Sequence, residues 1–306
     1  MIVDGADSRP EEIPVFLDAA GESLFGIVTI PAPRRSDALS IVLPAGATVS
    51  IDRNRVGVRL CRRLADLGVP SIRFDYHGVG ESDGDAQRFR LDEPFDADLL
   101  GVVAWARSEG IERFVLIGSC FGARTAMASA DRISGIEAIV LLAAPVRDYE
   151  MGDRVATSLA AGSDLSLHAH RALGRGAGVL RDPVKRRVYA RYVRTALLGL
   201  TRRAAHPDRR RHPDVSPHFL ASLAELGRRS IPTLFVYGTE DALWHEFLDA
   251  RSGPLASTLA DAPSIEIATL EGSVHGFKTI GIQDAAIDLI ADWLGRIPTD
   301  VTPSFG

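Results

Sequence analysis

The sequence predicts an α/β fold: a mostly parallel, twisted β-sheet flanked by helices, with a helical segment inserted late in the chain. Three observations predict it. From residue 39 to about 146, short apolar runs alternate with helix-length stretches, the pattern of right-handed strand-helix-strand crossovers. One run, Phe114 to Ile117, stops at Gly118 and restarts within a few residues as the small-residue stretch ARTAMA, which reads as a strand, a very tight turn and a helix. The alternation breaks over residues 147–229, which carry helical patterns and no convincing strand, and strands resume at Ile231.

Each element has its own signal. Residues 12–31 hold two β-rich runs, IPVFLD and SLFGIVTI, joined by the turn signal Ala20-Gly21, as in an antiparallel hairpin. Leu39–Leu43 is short and mostly apolar, as in a strand buried on both faces, and it ends at Pro44-Ala45-Gly46-Ala47. A helix from about Arg53 to Leu67 closes at Gly68, and Pro70 leads into the segment SIRFDYHGVGESDG. A second helix spans Asp96 to Ser108, and the helix after the tight turn runs to about Ala130. Further strands are expected at Ile136–Ala144, Ile231–Tyr237 and Ile265–Leu270, with a closing helix at Gln283–Leu294 whose apolar residues recur at helical spacing. The tail from Ile297 is expected to be loosely held.

At 306 residues, with 46% hydrophobic and 25% charged content, the composition is that of a globular protein with ample chain for a core. The expected division is a core of residues 1–146 and 230–306 and a helical, Arg-rich cap of residues 147–229. The net charge of −5 hides an asymmetry: the cap segment has 17 Lys and Arg against 8 Asp and Glu, a net of +9, so the remainder carries −14. One reading is a solvated helical surface that pairs with the acidic core. The other is recognition of an anionic partner, such as a phosphopantetheine arm, an acidic acyl carrier protein or coenzyme A. Nucleic acid is not expected, because the chain is acidic overall and no aromatic-interleaved basic motif occurs.

The opening MIVDGADSRPEE lacks the basic and apolar regions of a signal peptide, and no stretch approaches about 18 uninterrupted apolar residues. A cytoplasmic protein without membrane contact is expected. The chain has two cysteines: Cys61 lies in the helical pattern VGVRLCRRLADLG and reads as a small core residue, while Cys120 lies in the tight turn, so a disulfide between them is not expected. Scattered histidines, and the lack of H-E-x-x-H or C-x-x-C, imply no metal; no P-loop or dinucleotide fingerprint is present, and no cofactor is expected.

The turn itself reads G-x-C-x-G, with Gly118 and Gly122 two residues either side of Cys120. A strained strand-to-helix elbow must lack side chains at those two positions if the central residue is to project from the top of the sheet. The thiol then sits at a helix N-terminus, where unsatisfied N–H groups and the macrodipole favour a thiolate. The amide of Phe121 would point at an oxyanion formed beside the sulfur. Ser119 is the rival nucleophile, but it lacks the flanking glycines. On these residues the chain resembles the α/β-hydrolase superfamily, in its dienelactone-hydrolase-like variant with cysteine where most members carry serine.

That resemblance implies more. It makes residues 147–229 a cap and places the second oxyanion amide in the loop after the third strand, at Gly46 or Ala47, where most members have His-Gly. It also gives the order nucleophile, acid, base, which Cys120, Asp241 and His275 follow, each where a loop leaves the carboxyl end of an expected strand. His275, in GSVHGF, would take the thiol proton and return it to the leaving group, and Asp241 would hold the imidazole in the needed tautomer. Asp148 is the rival acid, because some hydrolases take it from the preceding strand. Trp244 and His245 follow Asp241 closely and are candidate pocket residues. Asp75 and His77 read better as hydrogen-bonding braces of their loop than as catalysts.

The expected activity is cysteine-dependent acyl transfer on an ester or thioester through an S-acyl intermediate. A thioester at Cys120 would be nearly matched in energy to a carrier-protein or coenzyme A thioester, so a sharper reading is a biosynthetic acyltransferase delivering to an alcohol or amine. A lyase-type elimination on the same scaffold and a non-catalytic binding module are the alternatives from other classes.

Overall fold

Two extended runs meeting at Ala20 and Gly21 pair as an antiparallel hairpin, β1 (Glu11–Ala19) and β2 (Glu22–Ile30). The computed structural model describes residues 9–46, 48–85, 89–148 and 215–297. Ala20 and Gly21 both have positive φ, 56° and 89°, the twist of a two-residue turn that matches right-handed strands. Six strands follow: β3 (Ala38–Leu43), β4 (Ser71–Phe74), β5 (Arg113–Ser119), β6 (Ile136–Leu142), β7 (Thr233–Gly238) and β8 (Ile265–Leu270). They form one eight-stranded sheet in the order β1-β2-β4-β3-β5-β6-β7-β8. β1 with β2 and β2 with β4 are antiparallel, and every other pairing is parallel. All residues of β3, β4 and β7 are buried; β3 and β7 read as mostly apolar runs for that reason, while β4 buries Ser71 and Arg73 as well.

The helices are α1 (Val56–Asp66), α2 (Asp96–Ser108), α3 (Phe121–Ser129), α4 (Pro217–Arg228), α5 (Ala242–Arg251), α6 (Ala256–Ala260) and α7 (Ile280–Leu294). A 3₁₀ turn at Arg53–Arg55 precedes α1, so the single helix expected from Arg53 begins as a separate tight turn. α1 packs beside α7, while α3 lies between α2 and α4; right-handed crossovers put these two groups on opposite faces of the sheet. Thr279 caps α7 through its side chain, which accepts from the Ile282 amide.

α4 corrects the expectation for its own segment. Counted with the cap in sequence, it packs against α3 in the same compact unit as the sheet, burying Phe219, Leu223 and Leu226. Ser216 caps it by accepting from the Phe219 amide, and Pro217 sits in its first turn where a missing N–H costs nothing. The remainder of the expected cap, residues 149–214, lies outside the described residues, as does Ala47. Among the described residues, no helix is long and apolar enough to cross a membrane.

The chain runs from β3 outward to β4 and then back across to β5, so strand order reverses between β3 and β5. In open α/β sheets the ligand crevice lies outside the carboxyl ends of the strands at such a reversal. The loops that begin at Pro44 and at Cys120 meet there.

Candidate active site

β5 ends at Ser119, whose ladder partner is Leu142, and α3 begins at Phe121, leaving a single residue to make the turn. That residue, Cys120, has φ 50° and ψ −106°. A non-glycine residue held at positive φ costs about 1–3 kcal/mol and persists only when its surroundings impose it. They do so here: its amide donates to the Leu142 carbonyl at 2.9 Å, and its carbonyl accepts from the Arg124 amide at 3.2 Å. The glycines on either side are required by space. A β-carbon on Gly118 would lie 2.4 Å from the Gly122 carbonyl oxygen, and one on Gly122 would lie 2.6 Å from the carbonyl oxygens of both Leu43 and Pro44.

The second approach joins the site together. The first turn of α3 rests against the end of β3, where the loop bearing Gly46 begins. Gly46 has φ 123°, and its carbonyl accepts from Thr48 at 2.6 Å. The Phe121 ring points the other way, into an edge-to-face cluster with Tyr76, Phe89 and Phe95 at centroid distances of 5.6, 4.9 and 5.1 Å. Burial raises the Tyr76 hydroxyl well above its ordinary value. Ser119, the rival nucleophile, is the last regular residue of its strand and lines a small apolar cavity of about 30 Å³ with Leu43, Ile117, Leu142 and Phe277.

Asp75 and His77 act as braces, as expected from their loop. The buried Asp75 carboxylate accepts from the Ser50 amide at 2.5 Å and the Glu81 amide at 3.4 Å, tying the loop after β3 to the loop after β4. His77 stands against Asp98 of α2 through both its amide and Nδ1, at 2.9 Å.

Asp241 ends the loop after β7, immediately before α5, and is 4% exposed. Its Oδ2 accepts from three backbone amides, Gly238 and Val274 at 3.0 Å and His275 at 2.9 Å, while Oδ1 accepts from the Ser273 hydroxyl at 2.5 Å. Four donors therefore fix one carboxylate, and three of them come from the loop after β8 that carries His275. Ser273 was not singled out from sequence; its place two residues before the histidine was the available signal. Asp148, the rival acid, is engaged elsewhere: its Oδ1 lies 2.7 Å from Arg124 Nη2.

Trp244 and His245 lie in the first turn of α5. Trp244 is half-buried, with its ring 5.6 Å from that of Tyr237 and stacked on Phe247 at 6.1 Å, while His245 is exposed. Neither cysteine is in a disulfide, and burial pushes the Cys61 thiol up, as befits a residue on the buried face of α1. Among the described residues, no group of three or more His, Cys, Asp or Glu side chains is arranged to hold a metal ion.

A model of the alpha/beta hydrolase family matches residues 45–273. Solved structures similar to the chain include an esterase from Pyrococcus furiosus, at 16% identity and a TM-score of 0.61, covering 94% of this chain and 93% of that one. A proline iminopeptidase from Mycobacterium smegmatis matches at 17% identity and a TM-score of 0.57, covering 92% and 98%. A dienelactone hydrolase from Anabaena variabilis matches at 13% identity and a TM-score of 0.56, covering 95% and 100%. At these identities the likeness is one of fold. No curated protein sequence matches the chain.

Proposed function

The chain belongs to the alpha/beta hydrolase family, and from that premise we propose that it is a cysteine-dependent enzyme that cleaves an ester or thioester through an S-acyl-Cys120 intermediate. The observation that carries this reading is the backbone of Cys120: a lone non-glycine residue at positive φ, between a strand and a helix N-terminus, at the reversal of strand order. His275 and Asp241 complete the set, with the amides of Phe121 and Gly46 as oxyanion donors and Ala47 as the alternative to Gly46. Trp244 and His245 are proposed to border the substrate path.

In the first half-reaction His275 takes the proton from Cys120 Sγ as the sulfur attacks the carbonyl carbon and a C–S bond forms. The negative charge passes to the carbonyl oxygen, where the two amides meet it. As the bond to the leaving oxygen or sulfur breaks, the imidazolium returns its proton to that atom. In the second half-reaction a water, alcohol or amine gives its proton to His275 and attacks the acyl carbon, and the C–S bond breaks to regenerate the thiol. Asp241 orients the imidazole throughout.

Exchange between a carrier-protein or coenzyme A thioester and a thioester on Cys120 is nearly thermoneutral and reversible, so a pocket that excludes water would pass the acyl group to an alcohol or amine rather than hydrolyse it. The net charge of residues 149–214, the part still proposed as a cap, is +8 (14 Lys and Arg against 6 Asp and Glu), which suits an acyl carrier protein or coenzyme A as donor. Intact mass after incubation with short acyl thioesters tests the reading. An acyl adduct is expected on the native chain and not on Cys120→Ala; an adduct that persists in the variant refutes it.

A further inference from the structure

Arg124 lies four residues beyond Cys120 in α3, and its side chain is 4% exposed. A guanidinium carries five N–H donors, and burying it without acceptors is costly. Its acceptors are specific. Nη2 donates to Asp148 Oδ1 at 2.7 Å and to Ser216 Oγ at 3.0 Å, and Nη1 donates to the carbonyls of Pro145 at 3.2 Å and Arg147 at 3.4 Å. The cation also sits 5.7 Å from the centroid of the Phe219 ring.

These partners come from two short stretches that are far apart in sequence and adjacent in space. One is 145–148, just after β6; the other is 216–219, at the start of α4. They are also joined to each other, by the Ser216 amide donating to the Val146 carbonyl at 2.8 Å. Together they bracket residues 149–214. The proposed reaction makes no use of this arginine. A buried ion pair adds little net stability compared with apolar residues of the same size, so stability alone does not account for a charge here. A planar fork that must satisfy four oxygens on two strands of chain is a registering device, and a lysine, a single point charge, could not reach all four.

We propose that Arg124 is a positioning residue: it locks the points where the chain leaves β6 and enters α4 to the helix that starts at Cys120. The kinetic part of this proposal rests on the acyl-transfer reading; the structural part does not. The test compares the native chain with Arg124→Met, Arg124→Lys and Asp148→Asn by hydrogen exchange of peptides covering 143–148 and 215–220, with β3 and β5 as internal references. It adds KM and kcat for a thioester substrate. In Arg124→Met, exchange at both bracketing stretches is expected to rise by about tenfold or more while β3 and β5 exchange as before. KM is expected to rise by about tenfold with kcat within about threefold. Arg124→Lys should fall between Met and the native residue.

Unchanged exchange at both stretches overturns the proposal, as does a rise shared equally by β3 and β5, which marks a general loss of stability. A change confined to kcat overturns it too. If Arg124→Met does not fold, Asp148→Asn, which keeps the arginine and its other acceptors, decides by the same exchange measurement. If the native chain forms no acyl adduct, the acyl-transfer reading fails, and exchange alone still decides the role of Arg124.

Discussion

Replacing Gly122 with alanine tests the junction on which the site depends. The new β-carbon would lie 2.6 Å from the carbonyl oxygens of Leu43 and Pro44 and 2.9 Å from the Leu43 carbonyl carbon. All three are backbone atoms, and real β-carbons essentially never approach within 3.0 Å. The gap between α3 and the end of β3 must therefore open by about 0.4 Å or more, which moves the Phe121 amide away from the loop bearing Gly46. Overpacking of this kind costs about 1–3 kcal/mol, and each kcal/mol lowers Tm by about 2–4 °C in a chain of this size class. Displacing one oxyanion donor costs about 10²- to 10³-fold in kcat. Gly281→Ala is the control, because no atom lies within 4 Å of its β-carbon and it sits in the first turn of α7. It is expected to leave kcat unchanged and hold or raise Tm by the helix propensity of alanine. Thermal unfolding and initial rates on both variants decide the matter; a Gly122→Ala protein with native Tm and native kcat would refute the contact and the role assigned to it.

Two further predictions follow from buried groups. Asp241→Asn keeps one acceptor oxygen and presents an NH₂ to donors on the other side. It is expected to cost about 1–3 kcal/mol and to lower kcat by about 10³- to 10⁴-fold, measured by thermal unfolding and turnover; near-native turnover would remove Asp241 from the catalytic set. Burial holds the Cys61 thiol above its ordinary 9.0 and the Tyr76 and Tyr237 hydroxyls above 10.0. Each group stays protonated longer in the folded chain than in the unfolded one. The stability this contributes is complete below about pH 9 and falls as pH rises beyond it, by up to about 1.4 kcal/mol per pH unit for each group. Urea unfolding at about pH 8 and about pH 10 should show the loss, with Cys61→Ala removing the part that begins near pH 9; equal stability at the two values contradicts the assignment.

Strands were the most legible part of the sequence. β8 and α2 match their expected bounds, and the hairpin, β3 and β6 differ only at their ends, because runs such as LSIVL and IEAIVLL carry their burial in composition. α5 was not anticipated, for a physical reason. An aspartate before a helix normally caps it, but Asp241 spends its carboxylate on the loop after β8 and gives α5 no side-chain cap, so the usual start signal serves another purpose. The helical pattern of α4 was readable, yet its packing partner was not: Phe219, Leu223 and Leu226 define an apolar face without saying which surface receives it. For the site, the spacing of Gly118, Cys120 and Gly122 carried the turn, since only a crowded backbone needs glycine at both flanks. Arg124 left one trace, a charge within the small-residue run ARTAMA, and its partners lie at 148 and 216, where no spacing rule links them.

β6 and β7 are hydrogen-bonded neighbours, from Ile139 with Thr233 to Leu142 with Val236, although residues 149–214 separate them in the chain. The sheet would close in the same way over a connection of almost any length. Evolution or an engineer can therefore exchange that connection without redrawing the strand ladder, provided that the graft begins and ends at the same anchor. Under the proposed function, a transplant at that single seam would change substrate preference while Cys120, Asp241 and His275 stay on the unaltered scaffold.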